Sequence, residues 1–198
     1  MRRLLWVALA AATLALSTLA SGASAGLGLL GPSCGSTAPV FSPWGDLSGY
    51  YAPANGGFES GSTGWTLSGG ARVVSANEPW YLSGRGSHSA LLPAGGTASI
   101  SVCYGVTYPA VRFVAAGVGG PATVHVRVVA HSLLGVLAVL DGGTFAVSPG
   151  WAPSPKLSTL MSALAAPLGT KSMQLDLTVT SGTAQIDDLF VDPFLVKG

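Results

Sequence analysis

Asn55-Gly56-Gly57-Phe58-Glu59-Ser60-Gly61, with Gly64-Trp65-Thr66 close behind, is the stretch whose reading decides the fold. Gly and Asn tolerate the left-handed backbone of tight turns, so the first half reads as a turn. An apolar Phe58, one carboxylate at Glu59, and a Trp65 that opens a strand follow in order. The matching stretch lies far down the chain, at Ile186-Asp187-Asp188-Leu189-Phe190-Val191-Asp192, an apolar strand that carries acids. Between them run about ten short β-like segments. We read the two stretches as the first and last parts of one antiparallel β-sandwich over residues 55–195.

Residues 65–67, 71–75, 89–92, 98–104, 123–130 and 173–180 read as strands separated by Gly, Pro and Asn. In 123–130, Val124, Val126 and Val128 share one face while His125 and Arg127 take the other. Met173, Leu175, Leu177 and Val179 alternate in the same way with Gln174, Asp176 and Thr178. Such alternation belongs to antiparallel sheets with one packed and one wet face. One stretch departs from it. Leu157, Leu160, Met161 and Leu164 fall at i, i+3, i+4 and i+7, between Pro155 and Pro167. That spacing predicts one short helix, or an ordered loop, near 156–166.

Only 9% of the 198 residues are charged, against roughly a quarter in ordinary globular proteins. With 28 Gly and 13 Pro, the composition suits short strands and many turns. Residues 1–25 read as a signal peptide: Arg2 and Arg3, an apolar core over 4–19, and Ala23-Ser24-Ala25 as the cleavage site. The core is interrupted by Thr13, Ser17 and Thr18 and is short for a membrane span of about 20 residues. A secreted protein is expected, monomeric and without a membrane span once the leader is removed. Losing Arg2 and Arg3 takes the formal charge from +1 to −1, which leaves no basic patch for nucleic acid.

Cys34 and Cys103 are an even pair in an exported chain, so they are expected to form a disulfide; two buried thiols are the alternative. Residues 26–54 then form a Gly/Pro-rich arm docked on the domain and pinned by Cys34. Alternation puts Cys103 on the Ser99/Ser101 face, which the arm is expected to cover.

Catalysis has little to stand on. Ser87-His88-Ser89 is the one adjacent nucleophile–base suggestion, but strand neighbours point to opposite faces. By the same rule Asp187 and Asp188 point apart, so they are no facing pair of glycosidase acids. The cysteines and histidines lack zinc-ligand spacing. The protein is expected not to be an enzyme.

Asn55-Gly56-Gly57-Phe58-Glu59, Gly64-Trp65 and Ile186-Asp187-Asp188-Leu189 together resemble the galactose-binding-like jelly roll of carbohydrate-binding modules. Those modules commonly open with a similar N-G-x-F-E and close with a similar I-D-D-V. The segments 41–46, 77–81 and 191–194 are also similar to a group of uncharacterised secreted bacterial proteins. The carbohydrate-binding resemblance implies a non-catalytic module for a glycan or cell-envelope polysaccharide. It also implies a structural calcium ion held by Glu59 and Asp187, two acids that otherwise serve as acceptors for backbone N–H groups. Sugar binding needs aromatic platforms with polar partners. Trp80, Tyr81 and Trp151 are the candidate platforms and Arg85 a candidate donor, while Trp65 reads as core. Arg112, His125, Arg127, Gln174 and Asp176 supply polar groups on faces read as wet. The alternative function is a structural envelope or matrix protein without a small ligand.

Overall fold

The computed structural model describes residues 34–103, 110–158 and 172–192. A 3-10 turn, Ser42–Trp44, precedes eleven strands: β1 Trp65–Ser68, β2 Arg72–Val74, β3 Ser89–Pro93, β4 Thr97–Val102, β5 Ala110–Gly117, β6 Ala122–Ser132, β7 Gly135–Val147, β8 Ala152–Pro153, β9 Leu157–Ser158, β10 Ser172–Ser181 and β11 Thr183–Asp192. They form two sheets, ordered β1-β4-β10-β6-β7 and β2-β3-β11-β5-β8, with β9 added beside β5. Every pairing is antiparallel. This is the expected all-β sandwich. Among the described residues no helix is long and apolar enough to cross a membrane.

The alternating strands turn their apolar faces to each other. Val124, Val126, Val128, Leu175, Leu177 and Val179 meet Ala90, Leu92, Phe113, Ile186 and Leu189 in one buried cluster. Two strands gave no alternating signal. In β5, Ala110 through Ala116 are all buried, because a second layer covers the outer face of this strand. In β7, Gly142-Gly143 and the register shifts against β6 break the period.

The helical spacing near 156–166 begins in extended chain, because Leu157–Ser158 is β9 and pairs with Val111 and Ala110. Residues 159–166 lie outside the described residues. So do the leader over 1–25, residues 26–33 of the arm, Tyr104 and residues 193–195.

The arm is the second layer on β5. Ala38 bridges Tyr50, and Tyr51 bridges Val191 of β11. Phe41 and Tyr50 pack with Phe190 in a separate apolar cluster on the outer face of the second sheet. Arg112 lies in this layer with 8% exposure, its guanidinium 4.3 Å from the Phe41 ring centre and 3.1 Å from Asp46 Oδ2. The expectation of a wet face for Arg112 is therefore corrected: its strand face is wet only until the arm closes over it. Among the described residues the arm does not cover the Ser99/Ser101 face, where Ser101 is exposed. Strand β4 ends at Val102, so alternation stops before Cys103. The Cys34–Cys103 disulfide, with Cα atoms 5.4 Å apart, fastens the arm at the edge of the sandwich. Tyr51 Oη donates to the Cys103 carbonyl at 2.8 Å beside it.

Candidate functional site

The opening turn is fixed by its own side chains. Asn55 adopts φ 58°, a left-handed conformation that Asn accepts more readily than most residues. Its Oδ1 accepts from Ser60 N at 2.8 Å, and its Nδ2 donates to the Gly61 and Thr63 carbonyls at 2.9 and 2.8 Å. Trp65 Nε1 donates to the Asn55 carbonyl at 2.8 Å, and its ring stacks on Phe58 at 4.4 Å. Both rings are core, as expected of them.

The closing strand holds a bulge. Asp187 lies opposite Val114 and Phe190 opposite Arg112, so β11 carries one extra residue between them. Asp188 takes it up at φ 47°. Strict alternation is broken, and the expectation that Asp187 and Asp188 point apart is overturned. Both reach the 78–83 segment: Asp187 Oδ2 accepts from Glu78 N at 3.0 Å, and Asp188 Oδ2 accepts from Ser83 N at 3.0 Å. Ser83 Oγ also donates to Asp188 Oδ1.

Glu78 completes a buried acidic trio, with exposures of 0% for Glu78, 1% for Asp187 and 3% for Asp188. Its Oε2 accepts from Trp80 N at 2.5 Å and its Oε1 from Leu82 N at 2.7 Å, so the loop wraps around its own carboxylate. Burial pushes the Asp187 carboxyl up to about 7, with the Asp188 and Glu78 charges adding to the rise. Burial likewise raises Glu78, and Asp188 raises it further. N–H donors from the loop, not cations, hold the trio, and no Lys or Arg among the described residues donates to it.

A loop pinned from beneath presents its upper face. Trp80 is 42% and Tyr81 51% exposed, and Tyr81 adopts φ 56°. Trp44 of the arm, 37% exposed, meets Trp80 edge-on at 5.0 Å. Tyr81, Gly84, Arg85 and Gly86 line a recess of about 700 Å3. Arg85 is exposed and has no hydrogen bond or ion pair to any described residue. The structure thus brings Trp80, Tyr81 and Arg85 onto one loop. Trp151 is half-buried next to β8 and is not among the residues lining the recess.

Glu59 sits beyond Gly86. Its Oε1 accepts from Ser87 N at 2.9 Å and His88 N at 2.8 Å, while His88 Nδ1 lies 3.4 Å from Oε2. Slight burial works to raise this carboxyl, but the Ser87 and His88 N–H groups outweigh it and hold it below its usual value. Ser87 Oγ is 3.0 Å from the same His88 Nδ1. A proton relay needs both ring nitrogens, one for the hydroxyl and one for the carboxylate. Here both partners share Nδ1, so the arrangement is no nucleophilic triad. Glu59 and Asp187 belong to two different hydrogen-bonded clusters. Among the described residues no three His, Cys, Asp or Glu side chains gather as a metal-ligand set.

The wet face of the first sheet is a ladder of paired polar groups. His125 Nε2 lies 2.9 Å from Asp141 Oδ1, Arg127 donates to Asp176 at 3.2 Å, and Gln174 donates to Asp176 at 2.7 Å. None of the exposed Trp and Tyr residues among those described lies on this face.

Sequence reasoning missed Glu78, Asp188 and Trp44. Glu78 had a signal, as the only acid in the 77–88 loop. Asp188 had none, because nothing in an alternating strand announces a bulge.

No protein-family model and no curated protein matches the sequence. Solved structures do. The chain is similar to the CBM22-1 xylan-binding domain of Paenibacillus barcinonensis Xyn10C, with TM-score 0.52 and 18% identity over 71% of this chain and 93% of that one. It is similar to a xylan-binding domain from CBM 22, with TM-score 0.52 and 16% identity over 76% and 99%. It is also similar to a chain of the CBM22-1-GH10 modules of Clostridium thermocellum xylanase 10B complexed with xylohexaose, with TM-score 0.53 and 15% identity over 72% of this chain and 29% of that one. Likeness at these identities is likeness of fold. The described residues form an antiparallel β-sandwich with the jelly-roll fold of these xylan-binding domains.

Proposed function

We propose that this protein is a secreted, non-catalytic carbohydrate-binding module whose glycan site is the loop bearing Trp80, Tyr81 and Arg85. One observation carries the reading: two exposed rings stand on a loop fastened to three buried acids, beside a guanidinium that pairs with no described residue. Sugar rings offer apolar C–H faces to aromatic surfaces and hydroxyls to polar groups. A rigid aromatic loses little side-chain entropy on binding, so a shallow site suffices. The wet sheet face lacks such rings, which favours the loop as the site. The disulfide supports an oxidising compartment and hence export.

The experiment is a glycan array with the wild-type chain, followed by calorimetry with Tyr81→Ala. The expected result is weak binding that this variant lowers at least about tenfold, a loss of roughly 1.4 kcal/mol. A blank array with a correctly folded protein would favour the structural envelope reading.

Calcium is part of the proposal. Its support is the resemblance that pairs Glu59 with Asp187, together with the burial of Asp187 without a basic partner among the described residues, a costly placement that its N–H donors offset in part and a cation would offset further. Asp187 is the proposed ligand on the core side. Glu59 enters through the family resemblance alone. If calcium binds only the folded chain, chelation lowers the melting temperature.

A further inference from the structure

We infer that the Tyr81–Arg85 recess selects an acidic saccharide, with the Arg85 guanidinium pairing a uronic acid carboxylate while the Tyr81 ring supports the sugar. The inference rests on the glycan reading above and adds the ligand's charge. It starts from how the chain uses its cations. Five Lys and Arg residues lie among those described, and three are paired with carboxylates: Arg112 with Asp46, Arg127 with Asp176 and Lys156 with Asp192. Arg85 is not, although four acids serve its own loop. Glu78, Asp187 and Asp188 are buried beneath that loop and accept from its backbone N–H groups. Glu59, whose side chain is 38% exposed, accepts from Ser87 N and His88 N and lies beside the His88 ring, and it makes no ion pair with Arg85. Among the described residues no acid pairs directly with Arg85.

The guanidinium is planar, always charged and presents parallel N–H donors that match a carboxylate in two-point fashion. A neutral sugar hydroxyl uses only part of that capacity. Arg72, the other described cation without a partner, lies on strand β2 away from the recess lining. Among the described residues Arg85 alone combines an unpaired fork with an aromatic wall and room of about 700 Å3.

The test is calorimetry of the full chain with xylohexaose, the same hexasaccharide bearing one glucuronic acid branch, and hexagalacturonate, at low and at 1 M salt. At least one acidic ligand is expected to bind about tenfold more tightly than xylohexaose at low salt, as a charge-assisted pair allows. High salt should shrink that preference. Arg85→Gln should remove it, so that the variant binds the acidic ligands no more tightly than it binds xylohexaose, while Arg85→Lys should restore part of the preference. Equal affinity for neutral and acidic ligands, or an acidic preference that survives Arg85→Gln, overturns this inference and leaves the glycan reading standing. Binding of none of the three overturns both. Matched melting temperatures of wild type and variants establish that each chain is folded.

Discussion

A methyl group at Gly57 would lie 2.7 Å from Asp188 Oδ1, 3.1 Å from Ser83 Oγ and 3.5 Å from Asp187 Oδ1. The opening motif therefore needs glycine because the closing motif's acids crowd against it. Gly57→Ala is expected to cost about 1–3 kcal/mol in urea unfolding, the range of overpacked sites. The acids themselves give a pH prediction. With its value raised to about 7, Asp187 keeps a proton in the folded state that the unfolded chain releases near the ordinary 3.8. Its stability contribution is thus complete below about 3.8 and is lost as pH rises through about 7. Glu78 is raised too and works in the same direction. Asp46 works oppositely: burial tends to raise it, but hydrogen bonds from Tyr50, Ser48 and Arg112 hold it far below the carboxylate range, so its contribution fails only in strong acid. In chelator, the melting temperature should rise as pH falls from 7.5 to 5. Calcium at pH 7.5 should raise it as well, by holding the ionised acids. A melting curve indifferent to calcium and chelator would remove the ion from the proposal.

Among the elements, the 77–88 loop and strand β1 hold two different kinds of Trp. Trp80 is 42% exposed, whereas Trp65 is 7% exposed and stacked on Phe58. Trp65→Ala should cost roughly 3–5 kcal/mol, and Trp80→Ala, which loses mainly its edge contact with Trp44, no more than about 1 kcal/mol. Thermal melts of the two variants check the contrast. Strands β1, β4, β6 and β10 were legible because each has one wet face, so polar residues punctuate the apolar ones. Strand β5 was not, because the arm dries its outer side and leaves Ala-Val-Arg-Phe-Val without a period. Strand β11 was legible as a strand, but its bulge was not. That single extra residue hid the acidic trio while leaving Trp80, Tyr81 and Arg85 readable from their turn-rich surroundings. Period two tells which face a residue takes only while the ladder stays in register.

Taken together, the arm and the sandwich stand or fall as one body. The Cys34–Cys103 disulfide closes a separation of 69 residues, worth about 4 kcal/mol in the chain-entropy model. Cys34→Ser/Cys103→Ser should lower the melting temperature, and limited proteolysis should then cut within 34–50 first, freeing Trp44 from Trp80. The same geometry has a mechanical consequence. Pull on Cys34 and Asp192, and in the oxidised protein tension passes through the disulfide to β4, whose neighbours β1 and β10 resist by shear. In the reduced protein, tension travels along the arm to the Ala38–Tyr50 and Tyr51–Val191 bridges, which open in succession like a zip. An optical trap should record a high, abrupt rupture in the first case and a low, gradual one in the second. Redox state thereby sets whether this domain behaves as a stiff tether or a compliant one.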